Sequence, residues 1–349
     1  MKPMPAKTGR RGRPLAVRIL NTILLIVILA LALILALGAK AKADLRAAYP
    51  PPGQLVDIGG RRLHIHCVGS GAPAVIMEAG AGDMSLIWAL VQPDIGQFTT
   101  ACVYDRAGHG WSDPGPAPTA AGITGDLRAL LTRAGVAPPY VMVAHSLGGP
   151  IVRLYRTESP AEVAGIVLVD SSHEAQFDRF PPAYRDAQRD MIGQLQSQLR
   201  LAAVLARTGV LALRPSIFPA NPRLPPDARA AYQALGVRDA TYLEAILADQ
   251  LAAEQILRGV AAAGIRSLGN IPLVVLAHGR ADAPPAQVEI APALVEEAER
   301  EWQEMQAELA RLSPQGRLVI AEQSGHYVQL EQPELVIEAI RRVVEEARP

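Results

Sequence analysis

A serine between small residues, at the end of an apolar segment, is the strongest sign of chemistry in this 349-residue chain. Residues 140–144 predict a short buried strand, and a helix is predicted to start directly after Ser146. A nucleophile on such a tight strand-to-helix turn needs small residues two positions before and after it, here Ala144 and Gly148. The backbone N–H of Leu147 should then be free at the helix N-terminus to hold an oxyanion. The plainer interpretation is a helix-capping serine with glycines for close packing.

A serine hydroxyl is a weak nucleophile without a base, and His326 is the best candidate for that base. It lies on a glycine-bearing loop just after the last predicted strand. The plainer interpretation is a polar loop residue. The other histidines are in less suitable positions. We expect His64 and His66 to be structural residues of a strand, and the ring of His145 to point away from Ser146. His109 lies in a predicted turn, His173 at the start of an insertion and His278 at the end of a strand.

A histidine base needs a carboxylate that fixes its tautomer and stabilises its cation, and two aspartates are candidates. Asp170 ends the predicted strand at 163–169, and Asp282 follows the predicted strand at 273–277. Both should lie at the carboxyl edge of a parallel sheet, where ligands bind in such folds. The residues by themselves leave the choice between the two open.

A second oxyanion donor is expected from the glycine-rich loop after the third predicted strand. Gly80 and Gly82 allow the backbone to approach a ligand, and the N–H of Ala81 is the candidate donor. A simple glycine-rich turn is the alternative. A phosphate loop is excluded because no Gly-Lys-Ser/Thr sequence follows.

The elements around these residues alternate between short strands and longer helices, which predicts βαβ units and a mainly parallel sheet. Strands are predicted at 54–58, 61–68, 73–78, 100–104, 140–144, 163–169, 273–277 and 317–321, and helices at 85–95, 120–134, after 146, near 286–312 and from 333. The alternation stops between about 172 and 268, where helical segments are punctuated by prolines. We predict a core at 54–171 and 269–349 and a helical insertion at 172–268 that covers the active-site end as a lid. An insertion without a role at the active site is the alternative.

The N-terminus predicts a membrane anchor. A basic segment at 1–18 precedes an apolar run at 19–38, which is long enough to span a bilayer, and a Pro-rich linker is predicted at 39–53. Basic residues before the run favour a cytoplasmic N-terminus with the remainder outside the cytoplasm. A signal peptide cleaved near residues 41–43 is the alternative, with a secreted product; a soluble core helix is disfavoured because no side of the run is polar.

Composition excludes other classes of function. The formal net charge is zero, so the chain lacks the overall basic character that would attract nucleic acid.

Two cysteines, Cys67 and Cys102, do not make a disulfide scaffold, and we expect two buried thiols in strands. A single disulfide is the alternative if the domain is exported.

Taken together, the motifs resemble the α/β-hydrolase superfamily over roughly residues 54–345. The matching segments, in order, are the oxyanion segment at 79–81, an Asp-x-x-Gly-x-Gly-x-Ser turn at 105–112, the elbow at 144–148 and the histidine block at 325–333. The resemblance implies an eight-stranded, mostly parallel sheet with a helical cap. It also favours Asp282, which lies three residues after Gly279 as the family's usual acid does, although some members take the acid from the position of Asp170.

The resemblance implies a serine hydrolase that cleaves a carboxylic ester through an acyl enzyme, with no cofactor and no metal. Its expected partners are a hydrophobic acyl substrate and the membrane, and not nucleic acid. Related acyl chemistry by a peptidase, thioesterase, acyltransferase or perhydrolase stays open. A non-catalytic binding protein tethered at the membrane is the alternative from another class. Ser146 argues against the carboxylate nucleophile that dehalogenases and epoxide hydrolases of this fold use.

Overall fold

A computed structural model describes residues 15–281 and 290–348. In this part of the chain, the strands form one eight-stranded sheet in the order β1-β2-β4-β3-β5-β6-β7-β8. The first three strands in that order pair antiparallel, and the others pair parallel. Their bounds are β1 Gln54–Asp57, β2 Arg62–Val68, β3 Ala74–Glu78, β4 Ala101–Tyr104, β5 Tyr140–His145, β6 Val163–Val169, β7 Leu273–His278 and β8 Gly316–Ala321. The predicted fold class is confirmed.

Helices cover both faces of this sheet, which explains why its central strands are apolar throughout. Alternate residues of a strand pack on opposite faces, so that Val141 and Val143 lie in one apolar cluster and Met142 in another. The helices are α1 Leu15–Ala48, α2 Gln92–Ile95, α3 Ala120–Arg133, α4 Gly148–Glu158, α5 Gln176–Arg179, α6 Pro182–Thr208, α7 Pro226–Arg238, α8 Ala240–Ala262, α9 Pro292–Ala310, α10 Val328–Glu331 and α11 Pro333–Glu346. Helices α5–α8 form the inserted cap.

The first helix is longer than predicted. The described residues contain one helix that is long and apolar enough to cross a membrane, and it continues beyond the apolar run to Ala48. An ion pair between Lys40 and Asp44, one turn apart, supports this continuation. The prediction of a Pro-rich linker over 39–53 is therefore wrong for most of its length, and only residues 49–53 separate the helix from β1.

The two cysteines form a disulfide, so the expectation of two buried thiols is wrong. Cys67 of β2 lies directly opposite Cys102 of β4 in the antiparallel register, and Cys67 is exposed. The sequence left a single disulfide only as the alternative, because strand register is a tertiary property that cysteine spacing does not reveal.

Candidate active site

Ser146 lies at the sharp corner between β5 and α4, as predicted. Its φ angle is +51°, a left-handed conformation that is uncommon for residues other than glycine. Its backbone N–H donates to the carbonyl of Val169 at 3.2 Å, and its own carbonyl accepts from Gly149 and Ser172 at 3.0 Å each. These bonds from the neighbouring strand and helix hold the backbone of Ser146 in its strained conformation.

The glycine-rich loop after β3 packs directly against this corner. A Cβ atom added to Gly80 would lie 3.2 Å from the Cβ of Ser146, and one added to Gly148 would lie 2.6 Å from the Cγ of Glu78. Only glycine permits this separation at either position. The two predicted oxyanion donors, Leu147 and Ala81, are therefore on two segments that meet beside Ser146, and their side chains pack in the same apolar cluster.

His326 lies on the loop between β8 and α10 and faces the same cavity as Ser146. This cavity has a volume of about 280 Å³. The Nδ1 atom of His326 lies 2.5 Å from Oδ2 of Asp170, so that Nδ1 and not Nε2 is the ring nitrogen that faces this carboxylate. The sequence therefore identified two residues, far apart in the chain, that the fold places around one cavity.

Asp170 is the carboxylate that contacts His326. Within the described residues its Oδ1 accepts from the backbone N–H of His278 at 3.1 Å and from Nε1 of Trp302 at 2.9 Å. Its Oδ2 accepts from Nδ1 of His278 at 2.7 Å and from Nδ1 of His326. The side chain is fully buried, and the residue has a φ of +43°. Asp282, which the resemblance favoured, lies outside the described residues.

These contacts determine the charge of Asp170. Burial by itself raises the pKa of a carboxyl group, but the hydrogen bonds from His278 and His326 outweigh burial and hold the pKa of Asp170 well below its ordinary value. A carboxylate that is ionised and bound in this way can fix the tautomer of His326 and stabilise its cation.

His278 is a second histidine on the same carboxylate, and sequence reasoning missed this role. Its Nδ1 faces Asp170, and its Nε2 lies 2.8 Å from Oε1 of Glu299 on α9. Burial lowers the pKa of His278, but its hydrogen bonds to Asp170 and Glu299 outweigh burial and raise this pKa to about 10. His278 is therefore a cation at neutral pH. Its position at the end of a strand was visible in the sequence, but the pairing of β7 with β6 that brings it to Asp170 was not.

The same three residues are close enough together to suggest a metal site, but their hydrogen bonds argue against one. The candidate ligand atoms of Asp170, His278 and His326 lie within 4.8 Å of one another. Both ring nitrogens of His278 face carboxylates at hydrogen-bonding distance, which requires a proton on each nitrogen. A metal-bound histidine would need one of these nitrogens deprotonated.

His145, whose ring is expected to point away from Ser146, contacts the candidate base. Its Nε2 donates to the carbonyl of His326 at 2.9 Å, and the two ring centroids are 4.6 Å apart. Burial lowers the pKa of His145, which favours a neutral ring. His145 therefore supports the backbone of the candidate base, through a contact that adjacency in sequence to Ser146 does not reveal.

A buried ion-pair network ties the cap to the glycine-rich loop. Arg106 donates to Oε1 of Glu78 at 2.6 Å, to the carbonyl of Gly80 at 2.5 Å and to Oδ2 of Asp249 at 2.9 Å. Asp249 belongs to cap helix α8, and it also accepts from the backbone N–H of Gly82 at 2.9 Å. The loop that carries the candidate oxyanion donor is thus fixed from the core and from the cap.

The remaining motif, the turn at 105–112, is structural. One oxygen of Asp105 accepts from the backbone N–H of Ser85 at 2.6 Å, and the other lies 2.8 Å from Nδ1 of His64. Ser112 accepts from the backbone N–H of His64 and donates to the carbonyl of Asp105. The structural role predicted for His64 is confirmed.

Comparison with known proteins identifies the family. A model of the alpha/beta hydrolase family matches residues 65–339, which is most of the chain. The chain belongs to the alpha/beta hydrolase family. In this α/β hydrolase, the matched region includes the whole sheet except the first strand and the start of the second, together with the entire cap.

Individual relatives are more distant. The chain is 32% identical over 155 residues to an uncharacterized protein of Schizosaccharomyces pombe, an alignment that covers 36% of this chain and only 29% of that protein. An esterase from Thermogutta terrifontis has a similar structure, with a TM-score of 0.57 and 19% identity over 85% of this chain and 99% of the other. The epoxide hydrolase CorEH has a TM-score of 0.61 and 19% identity over 84% and 98%. Identities this low establish the common fold and not a common substrate.

Proposed function

We propose that this α/β hydrolase is a serine hydrolase that cleaves a carboxylic ester through a covalent acyl enzyme. The observation that carries the proposal is that Ser146, on its strained corner, and His326, held by Asp170, face one cavity. Membership of the family supports hydrolytic chemistry in general. The epoxide hydrolase among its structural neighbours does not redirect the proposal, because the residue at the elbow is a serine and not a carboxylate.

In the proposed mechanism, Nε2 of His326 takes the proton of Ser146 as its oxygen attacks the acyl carbonyl. The N–H groups of Leu147 and Ala81 hold the oxyanion, and Asp170 stabilises the imidazolium. His326 then protonates the departing alcohol, and a water molecule, deprotonated by the same ring, releases the acid. We assign Asp170 as the carboxylate of the triad because its Oδ2 accepts a hydrogen bond from Nδ1 of His326.

The cavity supports an ester with an apolar part. Aromatic and aliphatic side chains line much of it, among them Phe180, Tyr184, Val295 and Trp302. Phe180 and Tyr184 belong to the cap region, and Trp302 belongs to α9 beside Asp170. This apolar part of the lining fits a short or medium acyl chain.

Helix α1 supports an anchored protein with its catalytic domain outside the cytoplasm. The apolar run is as long as the bilayer core, and basic residues precede it. The disulfide between Cys67 and Cys102 agrees with this topology, because reducing conditions in the cytoplasm disfavour disulfides. Cleavage near residues 41–43, with release of the domain, is the alternative.

Nitrophenyl esters of graded chain length test the proposed reaction. The purified full-length protein in detergent is expected to hydrolyse them, with kcat/KM rising with acyl length until the cavity is filled. The absence of hydrolysis at every length, from a protein that unfolds cooperatively, would contradict an esterase and favour a binding protein.

Replacing the second histidine should change the pH dependence of catalysis. In His278→Gln, we expect the acidic limb of the kcat/KM profile to move to higher pH by about one unit. In the wild type, the positive charge of His278 partly neutralises the negative charge of Asp170. Without the His278 cation, Asp170 stabilises the imidazolium of His326 more strongly, so that His326 should lose its proton at a higher pH. The measurement is kcat/KM for one nitrophenyl ester across the acidic range.

His173→Gln is the matched control for this shift. His173 follows β6 at the start of the insertion but is not among the residues that line the cavity. Its profile should coincide with that of the wild type. If the His278→Gln profile also coincides, the charge of His278 has no influence on the base, and its role is structural.

A further inference from the structure

Cap helix α6 is apolar on two sides in its last turns. Leu199, Ala203 and Ala206 are buried, in one cluster with residues of α8. Leu201 and Val204 on the other side of the helix are 63% and 53% exposed, and Leu205 is 38% exposed. The spacing of three and four residues places these exposed side chains on one helical face. A soluble surface rarely carries such an additional apolar face without a partner.

The exposed face lies close to the membrane helix. α6 ends at Thr208, and the backbone of Gly209 is in direct contact with the backbone of Gly38 in α1. A Cβ atom on Gly38 would lie 2.8 Å from the carbonyl carbon of Gly209, so that only glycine allows this approach. All residues of α1 from 15 to 37 are exposed, and α1 therefore first meets the domain at Gly38.

Helix geometry places this contact at the boundary of the bilayer core. The 20 residues at 19–38 rise by about 30 Å, the thickness of the hydrocarbon layer. Leu205 is one helical turn before Gly209, at about 6 Å along the axis. Leu213 and Ile217, in the turns that follow, are 46% and 60% exposed. The exposed apolar side chains of this segment are thus near the level at which α1 leaves the lipid.

The charge of the same segment fits a lipid surface. Residues 191–226 contain four arginines and no aspartate or glutamate. The arginines are Arg200, Arg207, Arg214 and Arg223, and all four are exposed. Arg207 pairs with Glu244 and Arg223 lies 3.9 Å from Glu331, so that Arg200 and Arg214 carry the argument. Basic residues beside an apolar face are the pattern of interfacial segments that bind anionic membranes.

We propose that the cap ridge, defined as Leu201, Val204, Leu205, Leu213 and Ile217, inserts into the interface of the bilayer that holds α1, with Arg200 and Arg214 on anionic headgroups. This inference rests on the anchoring proposed above. The N-terminal half of α6 carries Tyr184 and Gln188, which line the cavity of Ser146, and its C-terminal half carries Leu201, Val204 and Leu205 of the ridge. One helix would then connect the bilayer interface to the wall of the cavity.

Depth-dependent fluorescence quenching tests this inference on the full chain. Because the two native cysteines are joined, Leu205→Cys introduces one thiol for an environment-sensitive dye. The protein is reconstituted into vesicles of phosphatidylcholine with a minority of phosphatidylglycerol, and lipids carrying doxyl groups are the quenchers. Leu318→Cys is the matched control, because Leu318 is 37% exposed on β8, at the sheet edge opposite β1. Leu201→Cys repeats the measurement at a second ridge position.

A dye on Leu29→Cys, inside the membrane span, is the reference for full quenching by doxyl lipids. The dye at position 205 is expected to be quenched almost as strongly as this reference, whereas the dye at position 318 should not be quenched. Equal behaviour at 205 and 318, with quenching at 29, would overturn the ridge and leave the anchor intact. The absence of quenching at 29 would overturn the anchor itself. If the environment of the dye at position 205 becomes less polar as the protein-to-lipid ratio rises, without quenching by doxyl lipids, the ridge contacts a second copy of the chain, and the proposal is overturned.

Discussion

Ser146→Ala is expected to lower kcat for ester hydrolysis by roughly 10⁴-fold or more. Without the hydroxyl no acyl enzyme forms, and the remaining rate comes from oxyanion stabilisation and substrate positioning alone. The fold should remain intact, because alanine is no larger than serine and adds no bulk at the tight corner. The measurement is the steady-state rate on the best nitrophenyl ester, together with thermal unfolding of the same sample.

Ser171→Ala is the matched control for this variant. Ser171 is also buried near the elbow, but its hydroxyl donates to the carbonyl of Ser172, and it is not among the residues that line the cavity. Its activity should remain close to that of the wild type. Equal activity in Ser146→Ala and the wild type would eliminate Ser146 as the nucleophile.

The second large effect is expected at Asp170 and not at Asp282. Asp170→Asn should lower kcat by roughly 10³- to 10⁴-fold, because an amide neither fixes the required tautomer of His326 nor stabilises its cation. Asp282→Asn should retain most of the activity. The pair of variants, assayed on the same ester, decides the choice that the sequence left open. The reverse order of the two activities would assign the role to Asp282.

Asp170→Asn should also reduce stability in a manner that depends on pH. The hydrogen bonds of Asp170 to two histidines hold its pKa well below the ordinary value, so that its ionised form stabilises the folded state above about pH 4. This contribution is lost as pH falls toward the folded-state pKa. The decrease in the free energy of unfolding, roughly 1–3 kcal/mol, should therefore be largest near neutrality and shrink in acid. Urea unfolding at several pH values measures it, and an equal deficit at every pH would contradict the charge assignment.

The sheet was predictable from the sequence because its strands are short apolar runs with helices between them. Two local predictions were wrong, and each has an identifiable reason. A helix predicted at 85–95 is divided into a 3₁₀ turn at Ser85–Trp88 and α2 at Gln92–Ile95, which has Pro93 in its first turn. The linker prediction missed that residues 39–48 extend α1 as favourable helix formers.

Within the candidate site, residues marked by local backbone geometry were predictable, and residues defined by register were not. The small neighbours of Ser146 and the glycine before His326 are visible in sequence. By contrast, the contact between Asp170 and His326 depends on the order of β6, β7 and β8 across the sheet. The same order brings His278 beside Asp170, and no spacing rule in the chain contains that information.

The central claim is that Ser146 is a nucleophile activated by His326, and labelling with a fluorophosphonate tests it most directly. Because the reagent forms a covalent bond only with an activated serine, mass spectrometry of the digested full-length protein should find the adduct on Ser146. His326→Ala, under the same conditions, should remain essentially unlabelled. An adduct at another serine, or no adduct on a folded protein, would contradict the account.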